Sequence, residues 1–117
     1  DWIFIKDRSH RYRLVNQGYA DSLGVTPTAA IGKNDLELGF APAAVMGDAQ
    51  TGVRGFWADD REVIERGVTK VIPVEPVQLH GRQMFLHTIK APIRSPDGPF
   101  GACLATCMTL PNSRRLK

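Results

Sequence analysis

The sequence predicts an α+β domain built on one five-stranded antiparallel sheet, with helices covering one face of that sheet. Three observations support this fold class. Residues 2–15 contain two short runs of β-branched and aromatic residues, residues 55–67 have the periodicity of an amphipathic helix, and residues 68–110 contain three more strand-like runs. The predicted element order is β-β-α-α-α-β-β-β, in which the helical middle packs against the sheet.

The first two strands are predicted to form a hairpin. Residues 2–5 and 12–15 are rich in the β-branched and aromatic residues that favour strands. Between them, residues 7–9 have the sequence Asp-Arg-Ser, which is typical of turns because short polar side chains bond to nearby backbone groups. The short connection favours an antiparallel pair.

Two short helices with recognisable ends follow the hairpin. Asn16 is placed to accept a free backbone N–H at the start of the first helix, and Gly24 can adopt the left-handed conformation that ends it. Thr26 and Pro27 are an N-cap and first-position pair for a second helix, which closes before Gly32. We therefore expect two capped helices between residues 16 and 32.

The middle of the chain combines an irregular segment with a clear helix. Residues 36–54 are rich in Gly, Ala and Pro without a sustained period, which predicts a short helical turn and a long loop of the kind that often forms lids or binding loops. In residues 55–67, Phe56, Val63 and Ile64 share one helical face, with Trp57 beside it. Gly67 ends this central helix.

Three strands complete the domain, at residues 68–79, 83–93 and 100–110. Pro73 and Pro76 make the first of them an edge or interrupted strand, because proline cannot donate to a sheet ladder. The last two strands are apolar on both sides, so we expect the sheet face away from the helices to be covered by a second copy of the domain or by a flanking helix.

Length and composition indicate one soluble domain. The chain has 117 residues, 43% of them hydrophobic and 23% charged, and it lacks the run of about 18 apolar residues that spans a membrane. We assign residues 1–110 to the domain and residues 111–117 to a tail or linker remnant. The chain begins at Asp1 without a leader and enters a strand at once, which suggests a domain of a longer, cytoplasmic protein.

Charge and cysteine usage exclude further classes of function. The net charge of +3 is divided between the first hairpin and the tail, which favours solvated surface charge over a nucleic-acid interface. Cys103 and Cys107 lie in one predicted strand, about 13 Å apart at about 3.3 Å per residue, so they cannot form a disulfide with each other. We expect two reduced core residues and no metal site.

The ordered series of signals resembles a PAS domain, a sensory module of bacterial signalling proteins. The series consists of Lys6-Asp7, Asn16, Gly24, Pro27, Ile31-Gly32-Lys33 and Asp35. Residues 58–67 are similar to the long central helix of PAS domains in histidine kinases and diguanylate cyclases. Residues 90–93, Asp97-Gly98 and Gly101 resemble the fourth strand, the turn and the fifth strand. The resemblance thus covers nearly the whole chain.

The resemblance implies a regulatory sensor domain without catalytic residues. Such a domain binds a small ligand between sheet and central helix, or forms a homodimer through its sheet, and controls an attached output domain such as a kinase or cyclase. Here the usual Asp-Ile-Thr ending is missing, because residues 105–110 have the sequence Ala-Thr-Cys-Met-Thr-Leu. Signal output through that junction is therefore expected to differ from the family's usual route.

Two cofactor classes of the family can be tested on this sequence, and the cofactor remains unknown. Flavin–thiol photochemistry requires a reactive cysteine near the start of the central helix, and no cysteine precedes Cys103. Haem-binding members commonly use a histidine on or beside that helix, whereas the histidines here are His10, His80 and His87. We exclude the first and do not expect the second.

Five residues are candidate ligand contacts: Tyr19, Phe56, Trp57, Phe85 and His87. Phe56 and Trp57 offer rings to a flat ligand, and simple core packing is the favoured alternative explanation for them. His87 shares a strand face with Phe85 and Ile89, where its imidazole could bond to a ligand carbonyl or carboxylate. A satisfied core histidine and a solvent-facing one are the alternatives, since strand register is easily misjudged by one residue.

Two other functions remain as alternatives to a ligand sensor. In one, side chains such as Phe56, Tyr19 and Met46 fill the cavity and the domain only dimerises or recruits partners. In the other, the cavity is an active site with Asp59 or Asp60 as base and His87 as acid. No Ser-His-Asp arrangement, phosphate-binding loop or zinc motif supports the enzyme.

Overall fold

Five antiparallel strands form one sheet in a computed structural model of the protein, which describes residues 1–111. The strands are β1 (Trp2–Asp7), β2 (Tyr12–Val15), β3 (Lys70–Leu79), β4 (Arg82–Arg94) and β5 (Phe100–Thr109). Their order across the sheet is β2-β1-β5-β4-β3, so the N-terminal and C-terminal strands pair at its centre. The α+β class and the five-stranded antiparallel sheet are confirmed.

Four helices lie between the second and third strands. They are α1 (Gln17–Leu23), α2 (Pro27–Ala30), α3 (Pro42–Met46) and α4 (Phe56–Arg66). The sequence predicted three helices and only a helical turn in residues 36–54. The extra helix has five residues, and so short a helix leaves no periodic pattern in the sequence. None of the helices in residues 1–111 is both long and apolar enough to cross a membrane.

The predicted helix ends are confirmed at the level of single hydrogen bonds. The Asn16 side chain accepts from the Tyr19 backbone N–H at 3.0 Å, and the Thr26 hydroxyl accepts from Ala29 N–H at 3.2 Å. Gly24 and Gly67 follow their helices in the left-handed conformation, with φ of 75° and 64°. Local sequence thus defines where α1 and α2 start and where α1 and α4 end.

The sheet is two-sided, with its helix-facing side in the core. Along β4, Leu86, Thr88 and Lys90 are buried, whereas Ile89 between them is 38% exposed. The core under the helices is aromatic, and its rings belong to Trp2, Phe4, Tyr12, Tyr19, Phe40 and Phe56. Tyr19 lies 4.6 Å from Trp2 and 4.8 Å from Phe4, measured between ring centroids.

Strand β3 forms one edge of the sheet, as its prolines predict. Among the described strands it pairs with β4 alone, and the pairing register shifts between Ile72 and Glu75, beside Pro73 and Pro76. The two cysteines are also as expected, since both are buried and free. Of the predicted tail, 111–117, everything after Pro111 lies outside the described residues.

Candidate functional site

Four charged side chains meet in the core between the sheet and α4. We call Lys6, Asp35, Asp60 and Lys90 the charge cluster; none of them is more than 3% exposed. Alternation along β1 and β4 directs the two lysines to the helix-facing side, and α4 carries Asp60. Segments distant in sequence thus bring two cations and two anions together.

Short ion pairs connect the charge cluster. Lys90 Nζ donates to Asp60 Oδ1 at 2.7 Å, and Lys6 Nζ donates to Asp35 Oδ2 at 2.9 Å. Lys6 Nζ also lies 2.5 Å from Asp60 Oδ2, an ionic contact without hydrogen-bond alignment. Each carboxylate therefore has an ammonium partner, and the four formal charges sum to zero.

Neighbouring aromatic side chains hold Asp35 in place. Tyr12 donates its hydroxyl proton to Asp35 Oδ1, and Trp57 Nε1 donates to Asp35 Oδ2 at 2.9 Å. The Tyr19 and Tyr12 hydroxyl oxygens are 2.7 Å apart. Burial raises the pKa of both tyrosines well above the usual value, so both phenols are protonated donors.

Lys6, Asp60 and Lys90 of the charge cluster are ionised at neutral pH. Burial opposes the ionisation of Asp60, but the nearby Lys6 and Lys90 ammonium groups outweigh it and lower its pKa to about 2. Burial likewise acts to lower the pKa of Lys90, and the charge of Asp60 outweighs it, so that this pKa is raised. The same balance, with Asp60 and Asp35 as partners, raises the pKa of Lys6.

A small cavity lies beside the charge cluster. Its volume is about 20 Å³, which is room for about one water molecule. Apolar walls come from Trp2, Phe4, Tyr12, Tyr19, Phe40, Phe56, Val77, Leu86 and Cys107, and polar groups from Lys6, Asp35, Glu75, Thr88 and Lys90. This mixture of aromatic walls with a few directed polar groups is typical of small-molecule sites.

Lys90 has hydrogen-bonding capacity left for a molecule in the cavity. An ammonium group has three donors, and among the described residues Asp60 is the one hydrogen-bond acceptor of Lys90. Glu75 carries a further negative charge near Lys90 and accepts from the Thr88 hydroxyl at 2.7 Å. The cavity thus presents N–H donors and a carboxylate side by side.

Of the five candidate ligand contacts, the structure brings Tyr19 and Phe56 together at this cavity. Trp57 does not line it; its ring stacks on His10, with centroids 4.4 Å apart, while its N–H binds Asp35. Phe85 and His87 alternate with the buried residues of β4 and so belong to the opposite face of the sheet. There His87 borders a depression of about 150 Å³ with Ile3, Ile89 and Met108.

The position of His87 also bears on the enzyme hypothesis. Asp60 is buried with the charge cluster on the helix side of the sheet, whereas His87 lies on the far side. The sheet separates the two groups, so they cannot act as base and acid on one substrate. Within residues 1–111, no three His, Cys, Asp or Glu side chains are arranged to hold a metal ion.

Sequence reasoning missed the charge cluster, although the sequence contained a signal for it. Lys6 continues the alternation of Trp2 and Phe4, and Lys90 continues that of Leu86 and Thr88. A lysine at a core-facing strand position requires a buried partner. What the sequence did not contain was the partner's identity, because Asp60 is 30 residues from Lys90.

Comparisons with known proteins agree with this fold. A family model described as the PAS fold matches residues 1–115. No curated protein matches the chain. Among solved structures, a VqmA dimer of Vibrio cholerae has 23% identity and a TM-score of 0.77, covering 96% of this chain and 47% of that one.

Two further structures are similar over almost the whole chain. VqmA bound to DPO has 23% identity and a TM-score of 0.75, covering 93% of this chain and 52% of that one. The PAS domain of BvgS from Bordetella pertussis has 21% identity and a TM-score of 0.72, covering 99% and 81%. These similarities show the fold, and this chain spans about half the length of the VqmA chains.

Proposed function

This chain belongs to the PAS fold family, and from this premise we propose that it is the regulatory sensor domain of a larger cytoplasmic signalling protein. The domain binds a small molecule in the cavity between the sheet and α4, and binding biases an attached output domain. A bacterial two-component or cyclase system is the setting that the resemblance favours. The domain itself does no chemistry.

The observation that carries the proposal is the charge cluster beside the cavity. Burying four charges costs desolvation free energy that apolar packing of the same volume would avoid. At the cavity wall, Lys90 in addition keeps N–H donors for which residues 1–111 supply no acceptor. A ligand with a hydrogen-bond acceptor would satisfy these N–H donors. This supports ligand binding over simple core packing.

The charges around the cavity favour an uncharged ligand. Lys6 and Lys90 face Asp35, Asp60 and Glu75, so an added anion would meet an excess of negative charge. An added cation would in turn lie against the Lys90 ammonium. A neutral molecule with a carbonyl, hydroxyl or ring-nitrogen acceptor suits Lys90 without adding a buried charge. The structure of VqmA bound to DPO, whose fold is similar over 93% of this chain, supports ligand binding by a domain of this fold.

Native mass spectrometry of the domain purified from its own host tests the proposal. We expect a bound small-molecule mass in the wild type and its loss in Lys90→Met, which removes the donors at similar length. Lys33→Met is the matched control, since Lys33 is exposed and is not one of the residues that line the cavity. Leu86→Phe blocks the cavity without changing charge and should also remove the bound mass.

Folded wild-type protein that repeatedly carries no bound mass would contradict ligand binding. It would favour the second candidate, a ligand-free dimerisation or interaction module. A specific observation supports that candidate, namely the apolar side chains on the sheet face away from the helices. Ile3, Val71, Ile89 and Met108 are 38%, 51%, 38% and 53% exposed there. A second copy of the domain would cover them.

A further inference from the structure

A second, larger depression lies on the outside of the domain, next to the buried cavity. This outer groove, between the α3–α4 region and the edge strand β3, has a volume of about 480 Å³. Its walls are mostly apolar and include Ala44, Val53, Ile72, Val74 and Pro76. A space of this size accommodates an organic molecule larger than the buried cavity can hold.

The groove and the cavity have two residues in common, Phe56 and Glu75. These two residues therefore border both spaces. Phe56 is the first residue of α4, and Glu75 belongs to β3. The cavity and the outer groove therefore adjoin between the start of a helix and an edge strand. We propose that Phe56 and Glu75 form a gate through which a small uncharged ligand passes from the outer groove into the cavity.

The strand that carries Glu75 is an interrupted edge strand. Its pairing with β4 is broken between Ile72 and Glu75, and within residues 1–111 no strand pairs with its other edge. Pro73 and Pro76 have no N–H with which to restore the ladder. Segments with few backbone hydrogen bonds open locally at lower free energy than the rest of a fold. The gate is thus located at a sheet edge where the hydrogen-bond ladder is interrupted.

Phe56 is placed so that its movement creates the missing space. Its ring contacts Phe40 edge-on at a centroid distance of 5.4 Å, and Lys90 Nζ lies 5.9 Å from its centroid. Rotation of the ring into the outer groove vacates about one ring volume beside Lys90. The gate inference rests on the proposed function and narrows it to neutral ligands of about single-ring size.

The two cysteines provide probes for the gate without requiring the ligand. Cys107 lines the buried cavity, whereas Cys103 packs with Val63, Ile64 and Phe100 in a separate part of the core. Chains with one thiol, Cys103→Ala or Cys107→Ala, would be treated with the small uncharged reagent methyl methanethiosulfonate. Burial raises the pKa of Cys107 to about 11 and of Cys103 to about 12, so both reactions are measured at about pH 9.

Opening the gate should accelerate one thiol selectively. We expect Phe56→Ala to increase the labelling rate of Cys107 about tenfold while that of Cys103 stays within about twofold. Phe100→Ala is the matched control, an aromatic truncation in the other core cluster, and should accelerate Cys103 instead. Equal acceleration of both thiols would mean general loosening and would overturn the gate.

Glu75 is tested by the charge of the reagent. A carboxylate at the gate should make the anionic sulfonatoethyl reagent slower on Cys107 than the cationic trimethylammonioethyl reagent. Glu75→Gln should abolish most of that difference; an unchanged ratio would place the entrance elsewhere. Neither result depends on the bound mass sought in the native spectra, so the gate and the ligand proposal fail independently.

Discussion

At the scale of single residues, the molecule is defined by the charges in its core. Lys6, Asp35, Asp60 and Lys90 are nearly inaccessible, yet each is within 2.9 Å of an opposite charge. A buried ion pair adds little net stability compared with apolar packing, but the removal of one partner leaves an uncompensated charge. Each single loss from the cluster is therefore costly, which makes it a sensitive place to test.

Asp60 should be the most costly member to neutralise, because it contacts both lysines. At neutral pH we expect Asp60→Asn to lower the free energy of unfolding by about 3–5 kcal/mol. Urea denaturation measures this change. Asp21→Asn, at an exposed carboxylate of α1, is the control and should cost less than about 0.5 kcal/mol. Similar losses in both variants would contradict this role for Asp60.

The pKa of Asp60 also predicts how this difference depends on pH. The folded value of about 2 lies below the ordinary 3.8, so ionised Asp60 stabilises the fold above the ordinary value. That contribution, about 2 kcal/mol, is lost as the pH falls through the interval between them. The stability gap between wild type and Asp60→Asn should narrow over this interval, whereas a constant gap would contradict the assignment.

At the scale of secondary-structure elements, glycines in the left-handed conformation end two of the helices. Gly24 and Gly67 have similar φ angles of 75° and 64°, but their surroundings differ. A Cβ at Gly24 would meet nothing within 4 Å, whereas a Cβ at Gly67 would lie 2.4 Å from Cε2 of Phe100. The left-handed backbone disfavours a side chain at both glycines. At Gly67 a side chain would also clash with Phe100 of the neighbouring strand β5.

This difference predicts unequal effects of the same substitution. Gly24→Ala should cost about 1 kcal/mol, the ordinary strain of a left-handed alanine. Gly67→Ala should cost about 2–3 kcal/mol, because the Phe100 ring must also move. Urea denaturation of both variants measures the two costs. If they were equal, the contact between Gly67 and Phe100 would have no energetic weight.

At the scale of the whole molecule, the sheet has one face in the core and one face free of helices. Register pairs Ile3 with Thr106 and Thr106 with Ile89, and Val71 with Ile89, so these residues form a row across four strands. Three of the four are apolar and well exposed. Such a row on an antiparallel sheet is suited to burial against an identical row in a second copy.

We expect the domain to sediment as a dimer, and a charge in this row to dissociate it. Ile89→Lys places a lysine where two copies would meet, and burying that unpaired charge opposes association. Val68→Lys is the control, because Val68 is similarly exposed but lies outside the strands. Sedimentation velocity measures the result. A monomeric wild type, or a dimer that survives Ile89→Lys, would contradict the proposed interface.

The sequence by itself determined the elements of this protein. Asn16, Thr26 and Pro27 start helices, Gly24 and Gly67 end them, and Pro73 and Pro76 mark an edge strand, because each acts on backbone groups within a few positions of itself. The same local signals, taken in order, predicted the PAS fold. Only α3 was missed as a helix, since five residues do not display a period.

Tertiary structure alone decided which side chains meet. Tyr19 and Phe56 line the cavity, whereas Trp57 donates to Asp35 and His87 lies on the far face of the sheet. Strand register and the packing of α4 bring Lys90 into an ion pair with Asp60. They also place Phe56 and Glu75 between the cavity and the outer groove. These are long-range relations among residues, and no local pattern in the chain encodes them.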